Sequence, residues 1–235
     1  MESYITIKNE NIANYVMFIL DKLDNKFTEE ELNTITEITI DYEDVLENNS
    51  ILKELLLFRN LNTLNLRNAF IYNDDYNYLL NLEKLNNLYL DRCKFENADL
   101  IASLKLKSLS LINCEINNYL FVNLLTELEE LTIINGEVDI DNINKLTKLN
   151  YLQLSYSNIL GNELVIKLDN LKELYVDNTN IRNLTFTNNL LNLNRLSIDE
   201  FQYKYNNEFI KQLRNWNISN YNENLVEFLG DDYEA

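Results

Sequence analysis

Two thiols, Cys93 and Cys114, are the strongest nucleophiles in this chain, and nothing in the sequence activates them. A serine or cysteine nucleophile of the usual kind needs an imidazole beside it, and the chain has no histidine. The same absence removes every histidine-containing metal site. Three glycines, Gly136, Gly161 and Gly230, are too few and too scattered for a dinucleotide fingerprint or a phosphate-cradling loop. The adjacent carboxylates of Asp74 with Asp75, and of Asp231 with Asp232, fall in expected loops or the tail and point to no pocket. No catalytic residue, metal ligand or cofactor is therefore assigned, and an enzyme is not expected. The residues that do carry chemical meaning are of the recognition type: Tyr89, Ile112, Ile134, Tyr151, Gln153, Tyr156 and Tyr175, with Arg92 and Asp177 among them. Aromatic and branched apolar side chains anchor protein interfaces, and charged groups line their rims.

The spacing of these residues follows from a repeat. The phrase L-x-x-L-x-L-x-x-(small)-x-(I/V/F) starts at Ile35, Leu61, Leu85, Leu106, Leu128, Leu149, Leu171 and Leu193, with successive offsets of 26, 24, 21, 22, 21, 22 and 22. A run this regular indicates a solenoid of stacked coils. The fourth and sixth positions of each phrase, such as Leu174 and Val176, alternate with polar neighbours, as a strand with one buried face requires. Each repeat thus supplies one short parallel strand. About ten residues return the chain to the next phrase, which suits 3₁₀ or irregular turns better than full helices.

This pattern resembles the leucine-rich repeat over residues 35 to 203. The resemblance implies an α/β solenoid, with a curved parallel sheet on the concave side and short helical or irregular segments on the convex side. Most such families place asparagine at the ninth position. Here that position holds Glu43, Ala69, Cys93, Cys114, Gly136, Ser157, Thr179 and Phe201. Small residues, thiols and hydroxyls fit a tight buried ladder, with Ser157 and Thr179 expected to donate to backbone carbonyls. Both cysteines then read as core residues.

A solenoid needs covers at both ends. Ile12, Tyr15, Val16, Ile19, Leu20 and Leu23 lie at helical spacing, and Thr28 with Glu31 forms a capping box ahead of a second short helix. This two-helix start resembles the N-terminal cap of bacterial internalin-like proteins. Internalins carry a signal peptide and a surface anchor, neither of which this sequence shows, so their host-receptor role is not transferred. Phe209, Ile210, Leu213 and Trp216 suggest a closing helix, and Leu225, Phe228 and Leu229 a last apolar turn. The expected organisation is a helical cap over 1–34, eight repeats over 35–203, and a C-terminal cap with an acidic tail over 204–235.

Charge narrows the partners. With 38 acidic and 20 basic residues the net charge is −18, which repels phosphate backbones and anionic lipid and favours encounter with basic molecules. No apolar run approaches the length of a membrane span. Two cysteines cannot build a disulfide framework, so a cytoplasmic location is expected, for a monomer. The 42 asparagines read mostly as codon bias.

On a leucine-rich repeat sheet the fifth, seventh and eighth positions, and partly the third, project from the concave face. Ile112 and Ile134 fall at the seventh position of successive repeats, with Tyr89, Tyr151, Tyr156 and Tyr175 expected around them. Arg67 and Arg92 would rim one side, and Asp177, Asp199 and Glu200 the other. The expected function is a non-catalytic interaction module that binds a protein or peptide partner, basic partners included, through this face. The alternative is an acidic inhibitor or sequestering protein that captures a basic partner by net charge.

Overall fold

Alternation of apolar and polar residues makes each phrase a strand whose fourth and sixth positions are driven inward, and the computed structural model, which describes residues 3–42, 51–161 and 166–210, buries both in every repeat but the last, where Leu196 is half-buried. The chain divides into two compact units, Met1–Ile116 and Asn117–Ala235.

The first unit contains β1 (Glu37–Asp41), β2 (Thr63–Arg67), β3 (Asn87–Asp91) and β4 (Ser108–Ile112). They pair in parallel and in sequence order, with Ile38, Leu64, Leu88 and Leu109 in one register. These four side chains, with Ile40, Leu66, Leu90 and Leu111 two residues on, are buried and form the inner wall of the coil. The return segments are short: a 3₁₀ turn over Ile51–Leu57, the six-residue helix α3 (Asp75–Leu80) and a 3₁₀ turn over Ala98–Ser103.

Ahead of β1 stand helices α1 (Glu10–Ile19) and α2 (Glu29–Leu32). The Asn9 side chain caps α1 by accepting from the Ile12 N–H at 3.0 Å, and Ile12, Ala13 and Val16 are buried. The expected helical stripe stops short of its predicted end. Asp21 turns left-handed at φ 51°, with the Asp21 N–H on the Phe18 carbonyl and the Lys22 N–H on the Met17 carbonyl, which is a Schellman stop. Leu23, read from the spacing as part of the buried stripe, lies beyond that stop and is fully exposed. The capping box of α2 is present: Thr28 Oγ1 accepts from the Glu31 N–H at 3.2 Å, and Glu31 Oε2 from the Thr28 N–H at 2.8 Å.

The second unit repeats the design with β5 (Glu130–Ile134), β6 (Tyr151–Gln153), β7 (Glu173–Tyr175) and β8 (Arg195–Ser197), again parallel and in order. Its return segments include 3₁₀ turns over Leu120–Leu124 and Thr185–Asn189 and the one-turn helix α4 (Ile140–Ile143). Helix α5 (Glu200–Tyr205) follows the last strand, earlier than the predicted closing helix. Phe209 and Ile210 are half-buried, while Leu213, Trp216, Leu225, Phe228 and Leu229 lie outside the described residues, as do Glu43, Gly230, Asp231 and Asp232.

The ninth-position ladder works as its residue types require. Cys93 Sγ reaches the Leu66 carbonyl at 3.5 Å, Cys114 Sγ the Leu90 carbonyl at 3.4 Å, and Ser157 Oγ the Ile133 carbonyl at 3.0 Å, each one repeat back. Thr179 Oγ1 donates within its own repeat, to the Val176 carbonyl at 2.7 Å. Gly136 is dictated by space, since a Cβ there would sit 2.4 Å from Ile133 Cγ2. Phe201 breaks the ladder: it is 54% exposed, and the next residue, Gln202, is buried in its place. Gln202 Nε2 donates to the Val176 carbonyl at 2.9 Å and to the Ile181 carbonyl at 3.1 Å, so an amide one position later serves the final coil.

A second constraint sits at the eighth position. Asn68, Arg92, Asn113, Asn135, Tyr156 and Asn178 all adopt left-handed φ between 52° and 60°. Asparagine tolerates this region and most L-residues resist it, so four of the six being asparagine reflects backbone geometry more than codon usage.

Candidate binding face

Odd positions of each strand must point away from the core, and the predicted face residues do so with particular exceptions. In the first unit Tyr89 and Ile112 are half-buried and Arg92 is exposed. The Tyr89 hydroxyl accepts from Ser108 Oγ at 3.3 Å. Arg92 Nε donates to Asn68 Oδ1 at 3.0 Å, and Asn68 Nδ2 donates to Asp41 Oδ1 at 2.7 Å, so the left-handed residues of two repeats are linked by their side chains. Ser110, predicted on the face, is buried. Its side chain is too short to rise above its neighbours.

The second unit carries a denser arrangement. Tyr151 and Tyr175 lie on adjacent strands with ring centroids 5.2 Å apart and planes at 39°. Tyr151 donates its hydroxyl to Gln153 Oε1 at 2.9 Å, and Tyr175 donates to Glu173 Oε2 at 2.8 Å. Asp177 Oδ1 accepts from Ser155 Oγ at 2.8 Å and from Ser197 Oγ at 3.2 Å, which fixes the carboxylate in place. Ser155, also predicted on the face, is buried beneath this network. Ile134 is half-buried and Tyr156 is 50% exposed. Asp199 departs from its predicted rim role: it caps α5, with Oδ1 accepting from the Gln202 N–H at 2.9 Å, and Oδ2 accepts from the Asn178 N–H at 2.8 Å. Glu200 pairs with Lys204 within α5.

Register adds Glu130, Glu173 and Arg195, which the sequence reading passed over, to Tyr151, which it named. Glu130, Tyr151, Glu173 and Arg195 stand in one row across β5 to β8. Arg195 Nη1 bonds Glu173 Oε2 at 3.1 Å and the Tyr175 hydroxyl oxygen at 3.2 Å. The third position of each phrase was the available signal. Burial, then the neighbouring Tyr175 and the carboxylates of Glu173 and Glu130, push the Tyr151 hydroxyl up to about 12. Burial likewise raises Tyr175. In the core, the hydrogen bond shared with Cys93, reinforced by burial, drives the Cys114 thiol up, which keeps it protonated and unreactive. Among the described residues there is no group of three or more histidine, cysteine or acidic side chains placed to hold a metal ion.

No protein-family model and no curated protein sequence matches the chain. Solved structures do. An internalin from Listeria monocytogenes is similar at 24% identity and a TM-score of 0.62, over 82% of this chain and 56% of that one. A leucine-rich repeat protein of Leptospira interrogans is similar at 22% identity and a TM-score of 0.56, over 72% of this chain and 44% of the other. An internalin-like protein of Listeria monocytogenes follows at 20% identity and a TM-score of 0.55, over 82% and 61%. The chain thus spans roughly half the length of these proteins, and at such identities the likeness is one of fold.

Proposed function

We propose, from the premise that the chain is an internalin-like leucine-rich repeat solenoid in fold, that it is a non-catalytic interaction module. It binds a protein or peptide partner through the outward face of its strands. The contact residues on this reading are Tyr89, Arg92 and Ile112 in the first unit, and Ile134, Tyr151, Gln153, Tyr156, Tyr175 and Asp177 in the second. The observation that carries it is the choice of residue at the left-handed turns. Four of six such positions hold asparagine, while Arg92 and Tyr156 occupy the same strained backbone with long side chains directed to the exposed face. A conformation of this kind costs about 1 to 2 kcal/mol for an ordinary residue, and such strain concentrates at functional sites. Half-buried tyrosines beside these positions supply rigid anchoring area.

Two buried thiols that remain unpaired suit a reducing, cytoplasmic setting. Among the described residues no helix is long and apolar enough to cross a membrane.

The test is capture of a native partner by the wild-type chain and by a chain with Tyr89, Ile112 and Ile134 all replaced by serine, at low and high salt. Loss of capture in the substituted chain, with little effect of salt on the wild type, is the expected result. Undiminished capture by the substituted chain would refute the reading. A wild-type complex dissolved by salt and indifferent to the substitutions would instead favour capture by net charge, because exposed charges are screened beyond about 8 Å at physiological ionic strength.

A further inference from the structure

The row Glu130, Tyr151, Glu173, Arg195 is asymmetric. At its last two strands the charge is balanced: the Arg195 guanidinium lies on the Glu173 carboxylate and on the hydroxyl of Tyr175. At its first two strands a carboxylate and a tyrosine again stand together, but across the strands: Glu130 lies directly opposite Tyr151, as Glu173 lies opposite Arg195. Glu130 is exposed and has no basic partner among the described residues. Adjacent strands lie about 4.8 Å apart, so a flat cation placed over the Tyr151 ring would meet Glu130 on one flank and the Tyr151–Tyr175 aromatic pair on the other. A guanidinium satisfies this geometry better than an ammonium, because it is planar, weakly hydrated and stacks on aromatic faces. The fixed carboxylate of Asp177, two residues beyond the end of β7, adds negative charge to the same face.

Resting on the reading of the strand face as the binding surface, we propose that the second unit receives an arginine side chain from an extended basic segment of the partner protein. Its guanidinium stacks on Tyr151 and pairs with Glu130. The partner's guanidinium thereby gives Glu130 the cation that Arg195 gives Glu173. The Tyr151 ring gives the affinity, and Glu130 selects the charge.

The probe is a short peptide alternating arginine and serine, compared with its lysine and glutamate counterparts by fluorescence anisotropy on the full chain. The arginine peptide should bind more tightly than the lysine peptide, and the glutamate peptide should not bind. Tyr151→Ser should weaken the arginine peptide by about tenfold, whereas Tyr151→Phe, which keeps the ring, should retain most of the affinity. Glu130→Gln should weaken it severalfold, and Glu83→Gln, an exposed carboxylate of the first unit, should leave it unchanged. Equal loss from Glu83→Gln and Glu130→Gln would overturn the proposal in favour of diffuse charge attraction, and unaltered affinity in Tyr151→Ser would overturn it outright. Should the native partner still be lost on substitution of Tyr89, Ile112 and Ile134 while the arginine peptide fails to bind, this inference falls and the binding-face reading stands.

Discussion

Replacing Asn178 by alanine and, separately, by glycine tests the turn geometry on which the face depends. Asn178 sits at φ 54°, one of six equivalent left-handed positions. At an ordinary position alanine is the more stabilising of the two, by about 0.4 to 1 kcal/mol, because glycine leaves the unfolded chain more freedom. At left-handed φ alanine instead incurs about 1 to 2 kcal/mol of steric strain and glycine almost none. The difference places glycine above alanine by roughly 0.8 kcal/mol. Other contributions cancel. Both variants lose the weak Asn178 side-chain contact to Asp177 Oδ2 at 3.5 Å, and both keep the backbone N–H bond to Asp199 Oδ2 at 2.8 Å. Urea denaturation followed by circular dichroism, with a common slope, reads this as a shift in midpoint, and melting temperatures should differ by about 2 °C. If the alanine variant proves more stable than the glycine variant, the left-handed turn is absent and the assignment of Arg92 and Tyr156 as strained face residues fails with it.

Gln202→Leu removes the amide that closes the last coil and leaves the buried Ile181 carbonyl without its donor, while the Val176 carbonyl keeps the Thr179 hydroxyl, so unfolding in urea should become easier by about 1 to 3 kcal/mol. Phe201→Ser, one residue earlier and exposed, should change it little. Tyr151 ionises late, at about 12 against an ordinary 10.0. Since the raised value belongs to the folded state, the stabilisation is complete below pH 10 and is lost as pH rises towards 12. Denaturation midpoints measured across that window should fall more steeply for the wild type than for Tyr151→Phe, and parallel curves would count against the burial of this hydroxyl.

Much of the fold was legible because burial imposes a period. Leu109 and Leu111 face inward and Ile112 outward as the alternation requires, and the hydroxyl of Ser157 and the thiols of Cys93 and Cys114 find the carbonyls a ladder position must satisfy. The capping box at Thr28 was equally plain, since its two hydrogen bonds are local. What escaped was non-local or masked by composition. With 42 asparagines in the chain, the four at left-handed turns did not stand out. The Schellman stop at Asp21, which strands Leu23 in solvent, depends on backbone conformation that apolar spacing does not encode. Gln202 replaces the expected ladder residue because α5 begins immediately after β8, a shift visible only once the last coil is closed. On the face itself, tyrosine positions were readable from the repeat register. Burial of Ser110 and Ser155 was not, because it follows from how far neighbouring side chains reach over a short one.

The central claim is that the outward strand face, and not the return segments, meets the partner. It is tested most directly by comparing partner capture by two doubly substituted chains. One carries Tyr151→Ser with Tyr175→Ser on the strand face. The other carries Leu124→Ser with Leu191→Ser, two exposed apolar residues in or beside return segments. Capture lost in the first and retained in the second is the predicted result, and the opposite pattern would contradict the account.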